Sequence, residues 1–366
     1  MSTSPQAPAG ALRIGGVSGV PVYLDRTWLI LGAFIAFTGY RAGVERGTGF
    51  AVAYAAWLVV AILLAVLGHE VGHAVVARGL GFRVHRIVAT LWGGHTAYDG
   101  TGATPGRTAL VALAGPAVNG ALAALAAVAY VSLAEPAATF AWSFALLNAL
   151  LAGFNLLPGL PLDGGAALQS LVWAVTGRRD LGLVVAGWIG RAVAAGLVVW
   201  FVLLPVVRGG RPDLIDVVVV LVMGWVLWTG ATAAIRRAPV ERIVDRVTVG
   251  DTAARAVVLP PDTTLDEARA HPDLVVCLDA TGRPTLFLAQ SPGEDPPGST
   301  PIASVVRRLP DGNVVEAGPA DGLAPVLRAM GESGVGLVVL TRGGEVWGVT
   351  SAQAVDAAAR RDRART

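Results

Sequence analysis

The chain has 366 residues, of which 54% are hydrophobic and only 15% are charged, and its mean hydropathy is +0.61. Soluble domains carry roughly 25% charged residues, so this composition excludes an ordinary soluble protein. The net charge of +2 comes from scattered arginines rather than a basic cluster, which argues against nucleic acid as a partner. The single cysteine, Cys277, excludes an intramolecular disulfide and a cysteine-based metal site.

The first residues, MSTSPQAPAGALRIGG, lack the basic start and the apolar core of a cleaved signal peptide. We therefore expect residues 1–26 to form a short disordered leader on the cytoplasmic side. Residues 27–238 then contain long uncharged runs such as Gly47–Gly68, which supply the ~20 residues that a spanning helix needs. This pattern predicts a polytopic α-helical membrane protein with about six transmembrane helices. The apolar segments lie at about 27–40, 50–77, 108–133, 139–176, 184–207 and 214–235.

Arginines are more frequent in the loops that follow segments two, four and six than in the opposite loops. By the positive-inside rule the arginine-rich loops face the cytoplasm, and an even number of spans then places both termini there. The sequence therefore predicts a multi-pass protein of the cell membrane with cytoplasmic ends.

The second apolar segment ends in the group HEVGH, His69–His73. On a helix His69 and His73 project from one face, one turn apart, so that both imidazoles can bind one zinc ion. Glu70 lies beside them and is not spaced to complete the ligand set; its usual role is general base for a zinc-bound water. Ionisable residues at membrane depth are functional by default, which favours a metal site over two ordinary buried histidines.

A zinc protease site needs a third protein ligand, and Asp163 is the strongest candidate. It lies in FNLLPGLPLDGGAALQS, where Pro158 and Pro161 remove backbone donors and the glycines permit unusual conformations. The stretch predicts a break in the fourth segment, and broken backbone at membrane depth survives only where it lines a cavity. The alternative is a simple loop in which Asp163 caps a helix, and Asp216 near one end of segment six is a weaker ligand candidate.

Three stretches together resemble the motifs of the site-2 protease family, HExxH, GxxxN/S/G and NxxPxxxxDG, in order and in spacing. They are HEVGH (His69–His73), GPAVN (Gly115–Asn119) and NLLPGLPLDG (Asn155–Gly164). The resemblance implies a zinc-dependent intramembrane endopeptidase in which His69, His73 and Asp163 hold the zinc and Glu70 is the catalytic base. It also suggests substrates anchored by a transmembrane helix, such as anti-sigma factors or pro-sigma factors.

Further residues are weaker site candidates. Asn155 is a candidate hydrogen-bond donor to the oxyanion or the substrate backbone, and equally an amide that caps the broken helix. His95, in LWGGHTAYDG, is expected in a loop or hairpin, where it would approach the metal, pair with a substrate strand, or serve as an ordinary loop residue. Gly115 and Asn119 are expected to let helices pack closely rather than to touch substrate.

From Pro239 to residue 366 the composition becomes that of a soluble domain. LVVCLDATGRPTLFLA and GLVVLTRGGEVWGVT each predict a strand, a turn and a strand after a helical stretch. We therefore expect an α+β domain of two repeats, at about 240–292 and 299–361, joined by QSPGEDPPGST.

The repeat resembles a tandem pair of cystathionine-β-synthase (CBS) domains, which implies a regulatory role in the cytoplasm and association into a homodimer. Adenosine nucleotides are a further candidate ligand, although Gln353 and Ala354 stand where nucleotide-binding modules usually carry an aspartate.

Two other functions fit parts of the sequence. A CBS-regulated membrane metal transporter would line a path across the bilayer with its ligands, whereas the candidate ligands here converge from segments two and four. A non-catalytic relative that binds membrane helices without cutting them would lack Glu70 or a ligand, and all four residues are present.

Overall fold

The computed structural model describes residues 10–91, 93–100, 102–288 and 296–364. The chain divides into two compact units, Met1–Ala238 and Pro239–Thr366. The first unit contains long apolar helices and a small sheet, and the second is rich in β-strands. The first nine residues of the expected leader, and residues 289–295 around the expected linker, lie outside the described residues.

The helices of the first unit include five stretches, among the described residues, that are long and apolar enough to cross a membrane. The α-helices in this part of the chain are α1 (Trp28–Gly43), α2 (Thr48–Gly79), α3 (Pro105–Ser132), α4 (Ala137–Asn155), α5 (Asp163–Thr176), α6 (Arg179–Val198), α7 (Leu204–Val207) and α8 (Leu214–Arg246). The five stretches are Thr48–Gly79, Pro105–Ser132, Ala137–Asn155, Arg179–Val207 and Leu214–Val244. The first apolar segment forms α1, whose length of 16 residues gives a rise of about 24 Å, less than the ~30 Å hydrocarbon core. The count of six spans stays a prediction.

A four-stranded sheet accompanies these helices. Its strands are β1 (Ala11–Val17), β2 (Val20–Asp25), β3 (Arg83–Thr90) and β4 (Gly93–Asp99). They lie in the order β1-β2-β3-β4, and of the three pairs only β2–β3 is parallel. Ser18 and Gly19 have φ angles of 49° and 84°, the left-handed conformations that a tight two-residue hairpin turn requires. The expectation of a disordered leader is therefore wrong for residues 11–25.

The sheet packs on the C-terminal half of α2. Val20, Val22 and Ile87 from the strands form a buried cluster with Ala74 of α2. This packing sets β4 alongside the helix that carries the HEVGH group, and the register Ile87↔Thr96 fixes which residues of β4 approach it.

Between α4 and α5 the chain makes an irregular break over residues 156–162. Gly159, Leu160 and Leu162 are buried there, and the Leu160 N–H donates to the Ala186 carbonyl of α6 at 3.0 Å. The break confirms the predicted interruption of the fourth apolar segment. It also makes Asp163 the first residue of α5.

The second unit repeats a strand–helix–strand–strand pattern. Its elements are β5 (Ala254–Val258), α9 (Leu265–Ala270), β6 (Leu274–Cys277), β7 (Leu286–Leu288), β8 (Val306–Arg308), β9 (Val314–Glu316), α10 (Ala324–Ser333), β10 (Leu337–Arg342), β11 (Glu345–Ser351) and α11 (Ala352–Ala364). In each copy the first strand is parallel to the second and the second antiparallel to the third, namely β5-β6-β7 and β9-β10-β11. The copies join in one seven-stranded sheet of order β8-β7-β6-β5-β11-β10-β9. The two copies thus share one pairing pattern, while the predicted bounds of the repeats and their likeness to CBS domains stay predictions.

The turn between β6 and β7 depends on one carboxylate. Asp279 Oδ1 accepts hydrogen bonds from the Thr281 hydroxyl at 2.6 Å and the Arg283 N–H at 3.1 Å, and Oδ2 accepts from the Thr285 hydroxyl at 2.8 Å. These bonds, the Thr281 hydroxyl first, hold the pKa of Asp279 well below its usual range. Because the folded pKa is depressed, the stability that Asp279 contributes is present above the unfolded pKa of about 4 and is lost as the pH falls below it.

We expect Asp279→Ala to lower the denaturant midpoint of the second unit at pH 7. The deficit should shrink below about pH 4, where Asp279 of the unfolded wild-type chain takes up a proton that the folded chain does not yet bind. Pulse proteolysis of the full chain in urea, followed through a C-terminal tag, measures that midpoint. The exposed Glu345→Ala in β11 is the control and should behave like the wild type. A deficit of equal size at pH 7 and pH 3 would show that the carboxylate charge is not what the turn uses.

Candidate metal centre

His69 and His73 lie one turn apart on α2 and are both buried, with 6% and 9% of their surface exposed. Their Nε2 atoms are 3.0 Å apart. The i, i+4 spacing therefore does what the sequence predicts, and brings two imidazole nitrogens to one point beside α3.

Asp163 reaches the same point from α5. Its Oδ2 atom lies 2.9 Å from His69 Nε2 and 3.4 Å from His73 Nε2. The three predicted ligands, separated by ninety residues of sequence, are therefore brought together. The break in the fourth segment is what delivers the carboxylate, because Asp163 follows it directly.

Hydrogen bonds behind the imidazoles fix their tautomers. His73 Nδ1 lies 2.7 Å from the Val111 carbonyl, which only accepts, so this Nδ1 carries the proton. His69 Nδ1 lies 2.5 Å from Asn119 Oδ1. The Asn119 amide is oriented in turn, because its Nδ2 donates to the Ala65 carbonyl at 3.1 Å and to Asn148 Oδ1 at 2.8 Å. Both neutral imidazoles therefore point an Nε2 lone pair at the shared centre.

This donor set fits zinc. With both Nε2 atoms unprotonated, their approach to Asp163 Oδ2 supplies no hydrogen bond, and Oδ2 is a buried oxygen without a hydrogen-bond partner. Three lone pairs thus converge with separations of 2.9–3.4 Å. Ligands of a tetrahedral zinc with bond lengths near 2.0–2.1 Å stand about 3.3 Å apart. A divalent cation turns this repulsive arrangement into an attractive one.

Gly115 of α3 leaves room for the centre. A Cβ atom built on Gly115 would lie 2.5 Å from the Nε2 atoms of both His69 and His73. Gly115 and Asn119 were expected only to allow close helix packing. They also shape the site, since one clears space for the two nitrogens and the other orients an imidazole. Their four-residue spacing on α3, which mirrors that of the histidines on α2, is the signal that the sequence offered.

Glu70 is buried between α2 and β4, with 4% of its surface exposed. The Thr96 hydroxyl lies 2.7 Å from Glu70 Oε2 and 3.0 Å from the Glu70 carbonyl. A Cβ atom on Gly94 would lie 2.6 Å from Glu70 Oε1, so the strand approaches the carboxylate too closely for a side chain there. Sequence reasoning missed Thr96 and Gly94, because only the pairing of β4 with β3 brings them to α2.

The weaker candidates are placed as follows. His95 follows Gly94 in β4 and is exposed. Side chains alternate along a strand, so that of His95 points away from the face on which Thr96 meets Glu70, and its expected approach to the metal is wrong. The Asn155 amide donates to the Leu151 carbonyl of its own helix at 3.0 Å, the capping contact that was the alternative to an oxyanion role. The oxyanion role stays a prediction.

The fold and the site define a class: a multi-pass membrane protein in which two buried imidazoles of an apolar helix meet a carboxylate, beside a buried glutamate. Comparison with known proteins agrees with this class. The model of peptidase family M50 matches residues 57–136 and 132–199. Over these residues the chain is similar to this family, that of the site-2 proteases.

Several relatives are named zinc metalloproteases, and the first two described below are named as putative ones. One from Synechocystis is 32% identical over 250 residues, and Rip3 of Mycobacterium tuberculosis is 35% identical over 254. Each match covers 66% of this chain, and 64% and 63% of the respective relative, which is just under two thirds of their length. A Methanocaldococcus jannaschii zinc metalloprotease is 25% identical over 70% of both chains. The solved site-2 protease from that organism aligns with a TM-score of 0.44 and 21% identity, over 62% of this chain and 95% of that one.

Gly115→Ala tests whether the metal lies where His69, His73 and Asp163 meet. We expect the added methyl group to push the imidazoles or α3 away and to weaken zinc binding at least ~10-fold, because the nearest nitrogens lie only 2.5 Å from the Cβ position. Chelator competition on the purified protein measures the affinity. Gly120→Ala on the same helix is the matched control, since a Cβ there meets nothing within 4 Å. If both variants bind zinc like the wild type, the metal does not lie between these residues.

Proposed function

We propose that this protein is a zinc-dependent intramembrane endopeptidase that cleaves transmembrane segments of membrane-anchored substrates. The observation that carries the proposal is the convergence of His69, His73 and Asp163 within 3.4 Å, beside a buried Glu70. The two histidines and Glu70 lie on a helix of membrane-spanning length. The match to the model of peptidase family M50 supports peptide-bond hydrolysis as the reaction.

In this proposal His69, His73 and Asp163 hold one zinc ion. Zinc bound there would polarise the scissile carbonyl and lower the pKa of a water toward ~7. The hydrogen bonds from His69 to Asn119 and from His73 to Val111 keep both Nε2 atoms available as ligands.

Glu70 is the proposed general base. It takes a proton from the attacking water and passes it to the leaving nitrogen. The Thr96 hydroxyl, 2.7 Å from Oε2, restrains the carboxylate, and the close approach of Gly94 excludes bulk solvent on that side. Asn155 remains our candidate for a donor to the oxyanion, which would require its amide to leave the Leu151 carbonyl.

β4 offers a means of binding substrate. It is an edge strand of the four-stranded sheet, and an extended segment can add to such an edge by backbone pairing. A peptide bond within a helix has both polar groups bonded internally, so a substrate must unwind locally before it is cut. We propose that the unwound segment adds to β4 next to Glu70, on the strand where His95 is exposed.

The proposed substrates are membrane proteins with a transmembrane helix, of the kind represented by anti-sigma or pro-sigma factors. We place both termini and the second unit in the cytoplasm, as the arginine distribution favours. The repeated α+β architecture of the second unit supports a tandem CBS pair that regulates the protease or joins two copies into a homodimer. An adenosine nucleotide is a possible signal for that pair.

The alternatives have less support. A metal transporter needs successive ligand sets along a path, whereas one group of three His, Asp or Glu side chains, His69–Glu70–His73, is close enough to hold a metal among the residues that the structure describes. A non-catalytic helix-binding relative has no use for the hydrogen-bonded, buried Glu70.

Glu70→Gln separates catalysis from metal binding. We expect the variant to keep zinc, because the ligands are untouched, and to lose cleavage of a single-span peptide in detergent by ~10²–10⁴-fold, because an amide cannot take the proton. Elemental analysis measures zinc, and mass spectrometry of the products measures cleavage.

Two further variants complete this experiment. Asp163→Ala should bind zinc much more weakly, through the two histidines alone, and lose cleavage. Glu45→Gln, at an exposed carboxylate outside the site, should keep both. Cleavage by Glu70→Gln at the wild-type rate would refute the role of Glu70. Wild-type protein that takes up no zinc would refute the site itself.

A further inference from the structure

Arg191 lies within the apolar stretch Arg179–Val207, where a charge is expensive and calls for an explanation. No carboxylate pairs with it among the residues that the structure describes. Its guanidinium instead lies over the rings of Trp188 and Trp228, 4.7 and 5.1 Å from their centroids. Its Nη2 and Nε atoms donate to the Thr232 hydroxyl at 3.0 and 3.3 Å.

These contacts join two helices. Arg191 and Trp188 belong to α6, whereas Trp228 and Thr232 belong to α8. Cation–π attraction is strongest where water is excluded, and only the planar guanidinium can face both rings while donating to a hydroxyl. We call these four residues the α6–α8 latch.

Residues next to the latch on both helices pack against the irregular segment 156–162, the break that precedes Asp163. Gly190, next to Arg191, packs so closely on the Leu160 carbonyl that no side chain fits. On the other helix, a Cβ on Gly230 would lie 2.6 Å from Pro161 Cγ. The break is therefore held between α6 and α8, at the level of the latch.

The packing of the break between α6 and α8 sets the position of Asp163. Only Leu162, itself buried, separates Pro161 from the ligand, so a change in the α6–α8 separation shifts the break and with it Asp163 Oδ2. An outward shift of the break moves the carboxylate away from the Nε2 atoms of His69 and His73, which now lie 2.9 and 3.4 Å from Oδ2.

We propose that Arg191 is a positioning residue for the metal centre: by latching α6 to α8 it holds the break in the place where Asp163 completes the ligand set. The inference rests on the proposed zinc site. It explains why an arginine, rather than an apolar residue, stands at this depth.

The test measures zinc affinity of the purified full chain by chelator competition, with visible absorption of the cobalt-substituted protein as a readout of ligand geometry. We expect Arg191→Ala to weaken zinc binding by ~10–100-fold, the usual effect of losing a residue that supports a ligand, and to change the cobalt spectrum. Arg191→Lys, which keeps the charge over the rings, should recover part of the affinity. Thr232→Val should have a smaller effect of the same kind.

Arg46→Ala is the matched control. The Arg46 guanidinium also lies over an aromatic ring, that of Phe50 at 5.1 Å, and donates to a threonine hydroxyl, that of Thr139 at 2.8 Å. It makes the same kinds of contact away from the break. Its loss should leave zinc affinity and the cobalt spectrum unchanged.

A double-mutant cycle shows whether Arg191 acts through Asp163. In an Asp163→Ala background, Arg191→Ala should cause no further loss of affinity beyond about twofold. The proposal is overturned if Arg191→Ala binds zinc like the wild type, if Arg46→Ala loses as much, or if the losses from Arg191→Ala and Asp163→Ala add in full. If the wild type still binds zinc in a way that depends on Asp163, any of these results leaves the proposed function intact. If the wild type binds no zinc, both the role of Arg191 and the proposed function are overturned.

Discussion

The structure of the first unit depends on the close approach of three electron-rich atoms, the Nε2 atoms of His69 and His73 and one oxygen of Asp163, within 3.4 Å of one another. In a low-dielectric interior such atoms repel strongly. The arrangement is stable only under two conditions. Other contacts must fix the position of each group, and a cation must lie between the three atoms. The hydrogen bonds to Asn119 and Val111 provide the first condition for the histidines, and the buried break provides it for the aspartate.

The geometry of the three ligands therefore depends on how closely the surrounding helices pack. Gly115 admits the two imidazoles, and Gly190 and Gly230 admit the break from the opposite side. Protein interiors transmit small displacements because they are close-packed. A methyl group at any of these positions would therefore act on the ligands, even though none of the three glycines offers a ligand atom. Because a metal that binds only the folded arrangement also stabilises it, occupancy and packing are thermodynamically linked.

The parts of this protein that sequence reasoning predicted are those with local signals. The HEVGH spacing places two imidazoles on one face of α2 whatever surrounds the helix, and the prolines and glycines around Asp163 interrupt a helix wherever they occur. The repeat in the second unit is visible because each copy carries its own strand and turn signals. The hairpin of β1 and β2 was missed although Ser18–Gly19 lies between two alternating stretches, because a polar start was taken for disorder. The contact of Asn119 with His69 was signalled only by the spacing of Gly115 and Asn119. The contacts of Thr96 and Arg191 could not be predicted, since Thr96 reaches Glu70 through a strand pairing that no local pattern specifies and Arg191 contacts a residue 41 positions away.

The sheet that was missed bears on the proposed reaction. It buries Glu70 of α2 against β4 through Thr96, so the proposed base lies beside an edge strand of the sheet. A helical substrate exposes no free backbone groups until it unwinds, and unwinding in an apolar medium leaves those groups unpaired. An edge strand beside the base provides partners for them where the chemistry takes place. On the proposed function, substrate unwinding and proton transfer are therefore coupled through β4, and a segment that cannot extend along this strand would not be cut even if it reached the zinc.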